Sequence, residues 1–304
     1  MRIVFSGLLA ALSVCAPRVE AQVRGVYPLG MSAINSGVTP ASGWSYANAP
    51  LYYARDRKTG PNGDTAATGA QAVFLDMNTL LWVSEKFARL GGAKFSAVVT
   101  QPIAHNSLTS DTDGRISGAT GLGDLYIQPV ILGWEYRRAD IRLIYGVLAP
   151  TGRFEAGADD NVGSGYWTHA LASGQTFYLT EDRAINLSIF EMYEIHTRQE
   201  GTDIRPGDTF NLDYSLMRLF PVRQGLRLQL GLAGYASWQT SDKTGPHVTA
   251  AQAATRYRVD ALGLAANVPL PERNMSFGIR YFKELSSRST FEGYSLQASF
   301  AIKL

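Results

Sequence analysis

The stretch LRLQLGLAGYASWQ, residues 226–239, alternates between two kinds of side chain. One set of positions holds Leu226, Leu228, Leu230, Leu232, Ala236 and Trp238. The intervening set holds Arg227, Gln229, Tyr235, Ser237 and Gln239. Successive side chains of a strand point to opposite faces, so this pattern predicts a strand with one apolar and one polar face. A strand of a soluble sandwich alternates in the same way, and the surroundings of the two faces must therefore be inferred from the other segments.

The last stretch, GYSLQASFAIKL at residues 293–304, shows the same alternation. Its apolar positions are Tyr294, Leu296, Ala298, Phe300, Ile302 and Leu304, and its polar positions are Ser295, Gln297, Ser299 and Lys303. In lipid every backbone N–H and C=O must be paired, so we interpret this stretch as the strand that closes a barrel against the first one. Phe300 in a terminal strand resembles the signal read by the barrel-assembly machinery, although the sequence ends on Leu304 rather than on an aromatic residue.

Strand-like segments recur along the chain beyond a Gly/Ser/Pro-rich stretch at residues 30–43. The predicted strands are 44–55, 71–84, 92–104, 121–135, 139–151, 165–179, 184–197, 208–220, 226–240, 254–269, 274–285 and 292–304. About twelve strands, an even number, is typical of barrels in the bacterial outer membrane. The sequence therefore predicts an all-β fold, a transmembrane antiparallel up-and-down β-barrel of the outer-membrane type.

The connections alternate between short and long. Residues 137–139, 180–183, 221–225 and 270–273 are tight turns, whereas DRKTGPNGDTAATG, HNSLTSDTDGRISGAT, RFEAGADDNVGS and SDKTGPHVTAAQ are long and polar. Outer-membrane barrels have short periplasmic turns and long outer loops, and a sandwich has no reason for this asymmetry. Aromatic residues near predicted strand ends suit a girdle at the lipid interface; they are Trp44, Trp134, Tyr166, Trp167, Trp238 and Tyr281.

The composition of the 304 residues narrows the class of protein. The chain is 45% hydrophobic, 11% aromatic and 18% charged, with a formal net charge of +2. It is too polar for a bundle of membrane helices, and its balanced charge gives no reason to expect a nucleic-acid partner. Cys15 is the only cysteine, so no disulfide is expected.

The N-terminus predicts export. Met1 and Arg2 precede an apolar run at residues 3–16, and Val19-Glu20-Ala21 fits a small-residue cleavage site. We interpret 1–21 as a signal peptide, 22–43 as an N-terminal lead-in and 44–304 as the barrel. The alternatives are a membrane anchor, for which the run is short, and a lipoprotein, for which Val14 before Cys15 is too bulky. The expected location is the outer membrane of a Gram-negative bacterium, with outer-membrane lipid as the surrounding partner.

Several stretches together resemble a known family. They are GLGDLYIQPVILGW at 121–134, LAPTGRF at 148–154, NVGSGYWT at 161–168, YEIH at 193–196, TDIRPGDTFNLDY at 202–214 and GLAGYASWQTSD at 231–242. On these residues the chain resembles the outer-membrane proteins of meta-pathway phenol degradation, which are transporter-like β-barrels. The resemblance implies uptake of small hydrophobic or aromatic compounds. It implies no catalytic residues and no cofactor.

Polar residues projected into the outer half of the lumen form the candidate site. They are Asp124, Glu194, His196, Asn211, Asp213, Gln239, Arg256, Arg258 and Asp260. Charges of both signs at a constriction select solutes in pores, so these residues are predicted to line the path of a solute. The alternative is a salt-bridged plug that only stiffens the barrel.

An enzymatic function is the main alternative to a channel. A lipid-modifying barrel would need a Ser/His pair and an orienting residue on a lipid-facing surface. His169 is the only outward candidate, in a poorly patterned strand, and the four histidines are too scattered to predict a metal site. The sequence therefore favours a non-enzymatic channel, with a purely structural barrel as a third possibility.

Overall fold

A computed structural model describes residues 25–223 and 226–304. The predicted signal peptide and its cleavage site lie outside the described residues. The strands are β1 (Gly43–Thr59), β2 (Thr65–Phe87), β3 (Ala93–Ser110), β4 (Gly114–Leu122), β5 (Leu125–Glu135), β6 (Ala139–Ala149), β7 (Thr168–Tyr178), β8 (Ile185–His196), β9 (Thr209–Arg223), β10 (Leu226–Gln239), β11 (Arg258–Leu270), β12 (Met275–Arg288) and β13 (Phe291–Lys303). One short helix, α1 (Ala250–Ala254), lies in a loop.

Each strand pairs antiparallel with its neighbours in the sequence, and the sheet closes on itself. β1 pairs with β2 on one side and with β13 on the other, where Tyr52 lies opposite Leu296. The final stretch is therefore the closing strand, as predicted. Closure gives hydrogen-bond partners to the backbone N–H and C=O groups of both edge strands. In an open sheet in lipid these groups would have no partners.

β4 and β5 are two halves of one barrel strand. β4 pairs with the outer half of β3, and β5 pairs with its other half. Gly123 and Asp124 interrupt the strand between them, and Gly123 N donates to Pro102 O at 2.9 Å. The thirteen segments therefore form a closed barrel of 12 strands, which confirms the predicted fold and strand number.

The alternation of β10 and β13 has the predicted facing. Leu232 and Leu296 are 52% and 45% exposed on the outer face, while Gln229 and Gln297 are buried inside the barrel. The other exposed apolar side chains of the wall include Leu80, Val99, Ile103, Leu143, Leu171, Leu216, Leu230, Leu264, Ile279 and Tyr281. They give the wall the apolar outer surface that a membrane barrel requires.

The connections at the two ends of the barrel differ, as predicted, but two predicted loops are mostly strand. Residues 56–69 and 105–120 form the extended hairpins β1–β2 and β3–β4, with only 60–64 and 111–113 outside the strands. Thr and Ser are compatible with strands whose two faces both meet water, so polarity alone did not mark a loop. The longer connections 150–167, 197–208 and 240–257 lie at the same end of the barrel.

Most of the predicted aromatic side chains lie on the outer face near strand ends, with two exceptions. Tyr281 is on the outer face but lies midway along β12, opposite Leu264 and Leu296. Trp44 and Trp167 are 51% and 48% exposed, but Tyr166 is 2% exposed and packs inside the barrel. The prediction for Tyr166 is therefore wrong, because the chain enters β7 from a loop folded into the barrel mouth. Among the described residues, no helix is long and apolar enough to cross a membrane.

The two ends of the barrel should differ in accessibility on intact cells. Cysteines placed at Lys58, Asp111, Asp159, Asp203, Lys243 or Arg288 lie at or near the long-loop end, and those at Arg138, Arg223 or Glu272 lie at the short-turn end. We expect a membrane-impermeant maleimide to label the first group and not the second, since short turns face the periplasm. If only the second group were labelled, the short-turn end would face the cell exterior, and the proposed orientation of the barrel would be wrong.

Candidate functional site: the occupied lumen

Residues 25–42, called the plug segment below, fill the lumen of the barrel. Near the outer end, Gly25 N donates to Tyr257 Oη at 2.9 Å. Farther along, Gly37 N donates to Thr176 Oγ1 at 3.0 Å, and Ser42 Oγ donates to Ser84 O at 2.8 Å just before β1 begins. The segment predicted as a lead-in to the barrel therefore runs through its interior.

Asp213 on β9 is the main polar anchor of the plug segment. Its carboxylate accepts hydrogen bonds from Tyr27 Oη at 2.6 Å, Gly30 N at 3.0 Å and Ser32 N at 3.1 Å. The side chain is fully buried. A buried carboxylate is costly unless it is hydrogen-bonded, and here three donors of the plug segment satisfy it.

Glu194 on β8 holds the outer part of the plug segment. Its Oε1 accepts from Tyr27 N at 2.9 Å, and the side chain is 1% exposed. The backbone of Gly25 passes so close that a Cβ there would lie 2.0 Å from Glu194 Oε2. Two buried carboxylates on neighbouring strands thus bind successive turns of the same segment.

Apolar contacts supplement these hydrogen bonds. Leu29 and Ala33 belong to a buried cluster with wall residues of β9 to β12, including Met217, Tyr235 and Phe282. Met31 packs against a second cluster on β1 and β2, formed by Leu51, Tyr53 and Met77. The Tyr27 ring lies 5.5 Å from the ring of Phe190. The lumen is therefore packed as a core, with the plug segment at its centre.

Two glycines allow the plug segment to approach the wall closely. Gly30 has φ +85, and a Cβ there would lie 2.6 Å from the Phe282 ring. At Gly37 a Cβ would lie 1.9 Å from Asp140 O. A side chain at either position would push the segment away from its partners, so glycine is required at these two contacts.

The structure brings five of the predicted site residues together inside the barrel. Glu194, His196, Asn211, Asp213 and Gln239 are all buried on β8, β9 and β10. His196 Nδ1 lies 2.8 Å from Thr168 Oγ1, and Asn211 Oδ1 accepts from Ser237 Oγ at 2.7 Å. Gln239 donates to Ser241 O at 2.7 Å. These three fix the wall and its loops, while Glu194 and Asp213 bind the plug segment.

Asp124 has a separate role at the interruption between β4 and β5. Its Oδ1 accepts from Gly152 N at 2.9 Å, and its Oδ2 accepts from Ser164 N at 2.8 Å and Ser164 Oγ at 2.6 Å. The buried carboxylate thereby joins the two ends of the 150–167 loop. It stabilises the fold of the outer mouth.

The predicted lumen facing of Arg256, Arg258 and Asp260 is wrong. Arg258 Nε donates to Asp260 Oδ2 at 2.9 Å on the outer face, where the guanidinium lies 6.0 Å from the Trp238 ring. Arg256 is exposed in the preceding loop and donates to Asp242. The inward positions of this strand are instead Val259 and Ala261, because small apolar side chains pack against the plug segment.

Sequence reasoning missed the plug segment itself, including Tyr27, Gly30 and Ser32. A signal was present: carboxylates predicted to face the lumen at Glu194 and Asp213 require hydrogen-bond donors. A second signal was the weak alternation of apolar and polar residues along β1 and β2. It is weak because both faces of these strands carry apolar side chains. Leu51 and Met77 face inward because they contact the plug segment rather than water.

The residues needed for other chemistries are not assembled in the described part of the chain. No group of three or more His, Cys, Asp or Glu side chains there could hold a metal ion. His169, the candidate for a lipid-modifying site, has its Nδ1 2.9 Å from Tyr145 Oη and stacks on that ring. Its partner is thus a tyrosine of the neighbouring strand.

Two of three comparisons relate the chain to known proteins. The model of the family described as "Putative MetA-pathway of phenol degradation" matches residues 55–300. The crystal structure of the COG4313 outer membrane channel from Pseudomonas putida F1 has a TM-score of 0.73 and 13% identity, covering 89% of this chain and 98% of that chain. The beta domain of the Bordetella autotransporter BrkA has a TM-score of 0.58 and 11% identity, covering 87% and 100%. The comparison with curated protein sequences gave no match.

Proposed function

The chain belongs to this family of the MetA-pathway of phenol degradation, and from that premise we propose that it is an outer-membrane channel for small hydrophobic or aromatic compounds, closed by its plug segment. The outer membrane of a Gram-negative bacterium is the location that suits a closed 12-strand barrel with an apolar outer face. The barrel-assembly machinery is the partner such a location requires for insertion.

The observation that carries the proposal is how the plug segment is held. Its contacts with the wall are side-chain hydrogen bonds and apolar packing, and it joins the wall through Gly43 at the start of β1. No strand pairing of the barrel includes residues 25–42 of the described chain. The segment can therefore leave the lumen without unpairing any strand of the wall.

The lumen that such a movement would open is amphipathic. Its β1 and β2 side carries Leu51, Val73, Leu75 and Met77. Its β9, β10 and β13 side carries polar groups, among them Asn211, Ser215, Ser237 and Gln297. A path with an apolar and a polar side suits solutes that combine a ring with a polar substituent, as the family description suggests.

Weakening the polar anchor should favour the open state. Asp213→Ala removes the acceptor of three hydrogen bonds from the plug segment. A hydrogen bond to a charged group contributes about 1.5–3 kcal/mol, but water compensates much of the loss, so we expect the ratio of open to closed time to rise about tenfold to a hundredfold. Single-channel recording in a planar bilayer measures this ratio.

Asp260→Ala is the matched control, because it removes a carboxylate from the outer face of the same barrel. It should leave the open-to-closed ratio at the wild-type value. If both variants gate like the wild type while folding normally, Asp213 does not hold a closed state. If both open equally, the change reflects general loosening of the barrel.

A further inference from the structure

A cavity of about 150 Å³ lies between the plug segment and the wall formed by β2, β3, β5, β6 and β8. Ser32 and Pro40 of the plug segment border it on one side. Much of the wall side is apolar, with Val98, Ile131 and Phe190 all at most 8% exposed. A cavity of roughly 150 Å³ is large enough for one benzene ring. Ser32, Ser96, Gln128 and Arg142 also line this space, so it suits an aromatic ring that carries a polar group.

The cavity also borders a guanidinium without an acidic partner. Arg142 Nε donates to Ser36 O of the plug segment at 2.7 Å. Its Nη1 and Nη2 have no hydrogen-bond partner among the described residues, and no described carboxylate lies within ion-pair distance of it. Asp140, two residues earlier on the same face, instead accepts from Tyr178 Oη at 2.5 Å. A buried cation is costly until an anion pairs with it.

A second polar group without a partner lines the same space. Ser96 is 2% exposed, and its Oγ has no hydrogen-bond partner among the described residues. A buried hydroxyl normally has a partner. A hydroxyl without one, lining the same cavity as a guanidinium without an ion pair, indicates a ligand that accepts hydrogen bonds.

The wall is irregular where it borders the cavity. The pairing of β5 with β6 shifts between Ile127 and Val130, and that of β3 with β5 shifts between Ser96 and Val98. The shift in β5 places both Gln128 and Ile131 on the cavity side. Bulges commonly re-aim side chains beside functional sites, and here both irregularities lie next to residues that line the cavity.

We propose that this cavity binds a monocyclic aromatic carboxylate of the benzoate class, with the carboxylate on Arg142 and Ser96 and the ring on Val98, Ile131 and Phe190. A guanidinium matches a carboxylate in geometry and charge, and carboxylates are ionised at neutral pH. The inference rests on the proposed channel function and specifies its substrate class: an aromatic ring that carries an anionic group.

Equilibrium binding to the purified full-length barrel in detergent tests the site without requiring transport. Benzoate, the neutral isostere benzamide and chloride are titrated calorimetrically against the wild type. We expect benzoate to bind at least about tenfold more tightly than benzamide, since only benzoate makes the charge-assisted hydrogen bonds. Equal binding of the two ring compounds, no binding of benzoate, or binding of chloride that benzoate does not displace would each overturn the proposal.

Two variants locate the site, and one serves as control. Arg142→Met keeps most of the side-chain volume and should weaken benzoate binding about tenfold or more. Because Arg142→Met also removes the hydrogen bond to Ser36, a second variant, Ile144→Phe, is needed. It fills the cavity and involves no side-chain hydrogen bond. It should weaken the binding of benzoate and of benzamide alike. Arg258→Met, on the outer face, should bind as the wild type does. Wild-type affinity in both Arg142→Met and Ile144→Phe would place the ligand elsewhere and contradict the assignment.

The binding and conductance experiments test the benzoate site and the proposed channel function separately. If benzoate binds as expected but loss of the plug segment produces no conductance, the site holds and the channel function fails. If conductance appears without benzoate binding, the channel function holds and the substrate class is wrong.

Discussion

Deletion of residues 25–40 is expected to turn a closed barrel into a continuously conducting one. The wild type should stay at the closed current level most of the time, with short-lived openings. The deletion variant should stay at a stable open level. Planar-bilayer recording and swelling of liposomes in small solutes both measure the change. This is the largest functional effect that we expect from any change to the chain.

The physical reason is that the plug segment supplies the packing at the centre of the lumen. Leu29 and Ala33 complete one buried cluster and Met31 packs against another, so the deletion leaves side chains of the wall facing water. The wall itself keeps its strand pairings, which do not involve residues 25–40. We therefore expect the variant to remain a heat-resistant barrel with a lower midpoint of unfolding.

A variant of unchanged length separates loss of contacts from loss of chain. Replacing Tyr27, Leu29 and Met31 by serine keeps the segment but removes its main apolar contacts. It should open often, but its open conductance should be lower than that of the deletion variant. A deletion variant that folds and stays closed would show that other elements block the lumen.

Leu232→Arg is expected to destabilise the folded barrel by about 2–4 kcal/mol, the cost of an arginine near the bilayer midplane. Leu232 is 52% exposed on the outer face. It lies midway along β10, between Leu228 near the short-turn end and Trp238 near the outer end. Equilibrium unfolding in urea, in the presence of lipid vesicles, gives the free energy of unfolding.

The control carries the same substitution on the same face at a different depth. Leu228→Arg lies close to the interface, where an arginine costs only about 0–1 kcal/mol. The native Arg218 faces outward on β9 opposite Leu230, and its guanidinium lies 5.1 Å from the ring of Phe220, which is opposite Leu228. A cation therefore already occupies the outer face near the level of Leu228. Equal losses at Leu228 and Leu232 would contradict the proposed position of the membrane on the barrel.

The barrel could be predicted from the sequence because its outer surface follows one rule. Every outward position of β10 and β13 within the membrane must be apolar, so alternation at Leu230, Leu232 and Leu296 reports the fold directly. The closing strand and the alternation of short and long connections follow from the same requirement. The number of strands was therefore predictable, and the lengths of the β1–β2 and β3–β4 hairpins were not.

The interior could not be predicted in the same way, because its chemistry depends on what fills it. Val259 and Ala261 face inward since Leu29 and Ala33 pack there, which reverses the facing predicted for Arg258 and Asp260. Glu194 and Asp213 bind partners that lie more than 150 residues away in the sequence. No local pattern reports such a contact.

Reversible locking of the plug segment tests the central claim most directly. Ser215 Oγ donates to Ala33 O at 2.6 Å, so cysteines at Ala33 and Ser215 lie close enough to test for a disulfide, and the only native cysteine is Cys15 in the predicted signal peptide. Single-channel current is recorded from the oxidised double variant before and after a reductant is added. We predict that the oxidised barrel stays closed and that reduction restores the openings of the unlocked protein. Equal conductance in the oxidised and reduced states, with the disulfide confirmed by mass, would show that the plug segment does not close the channel.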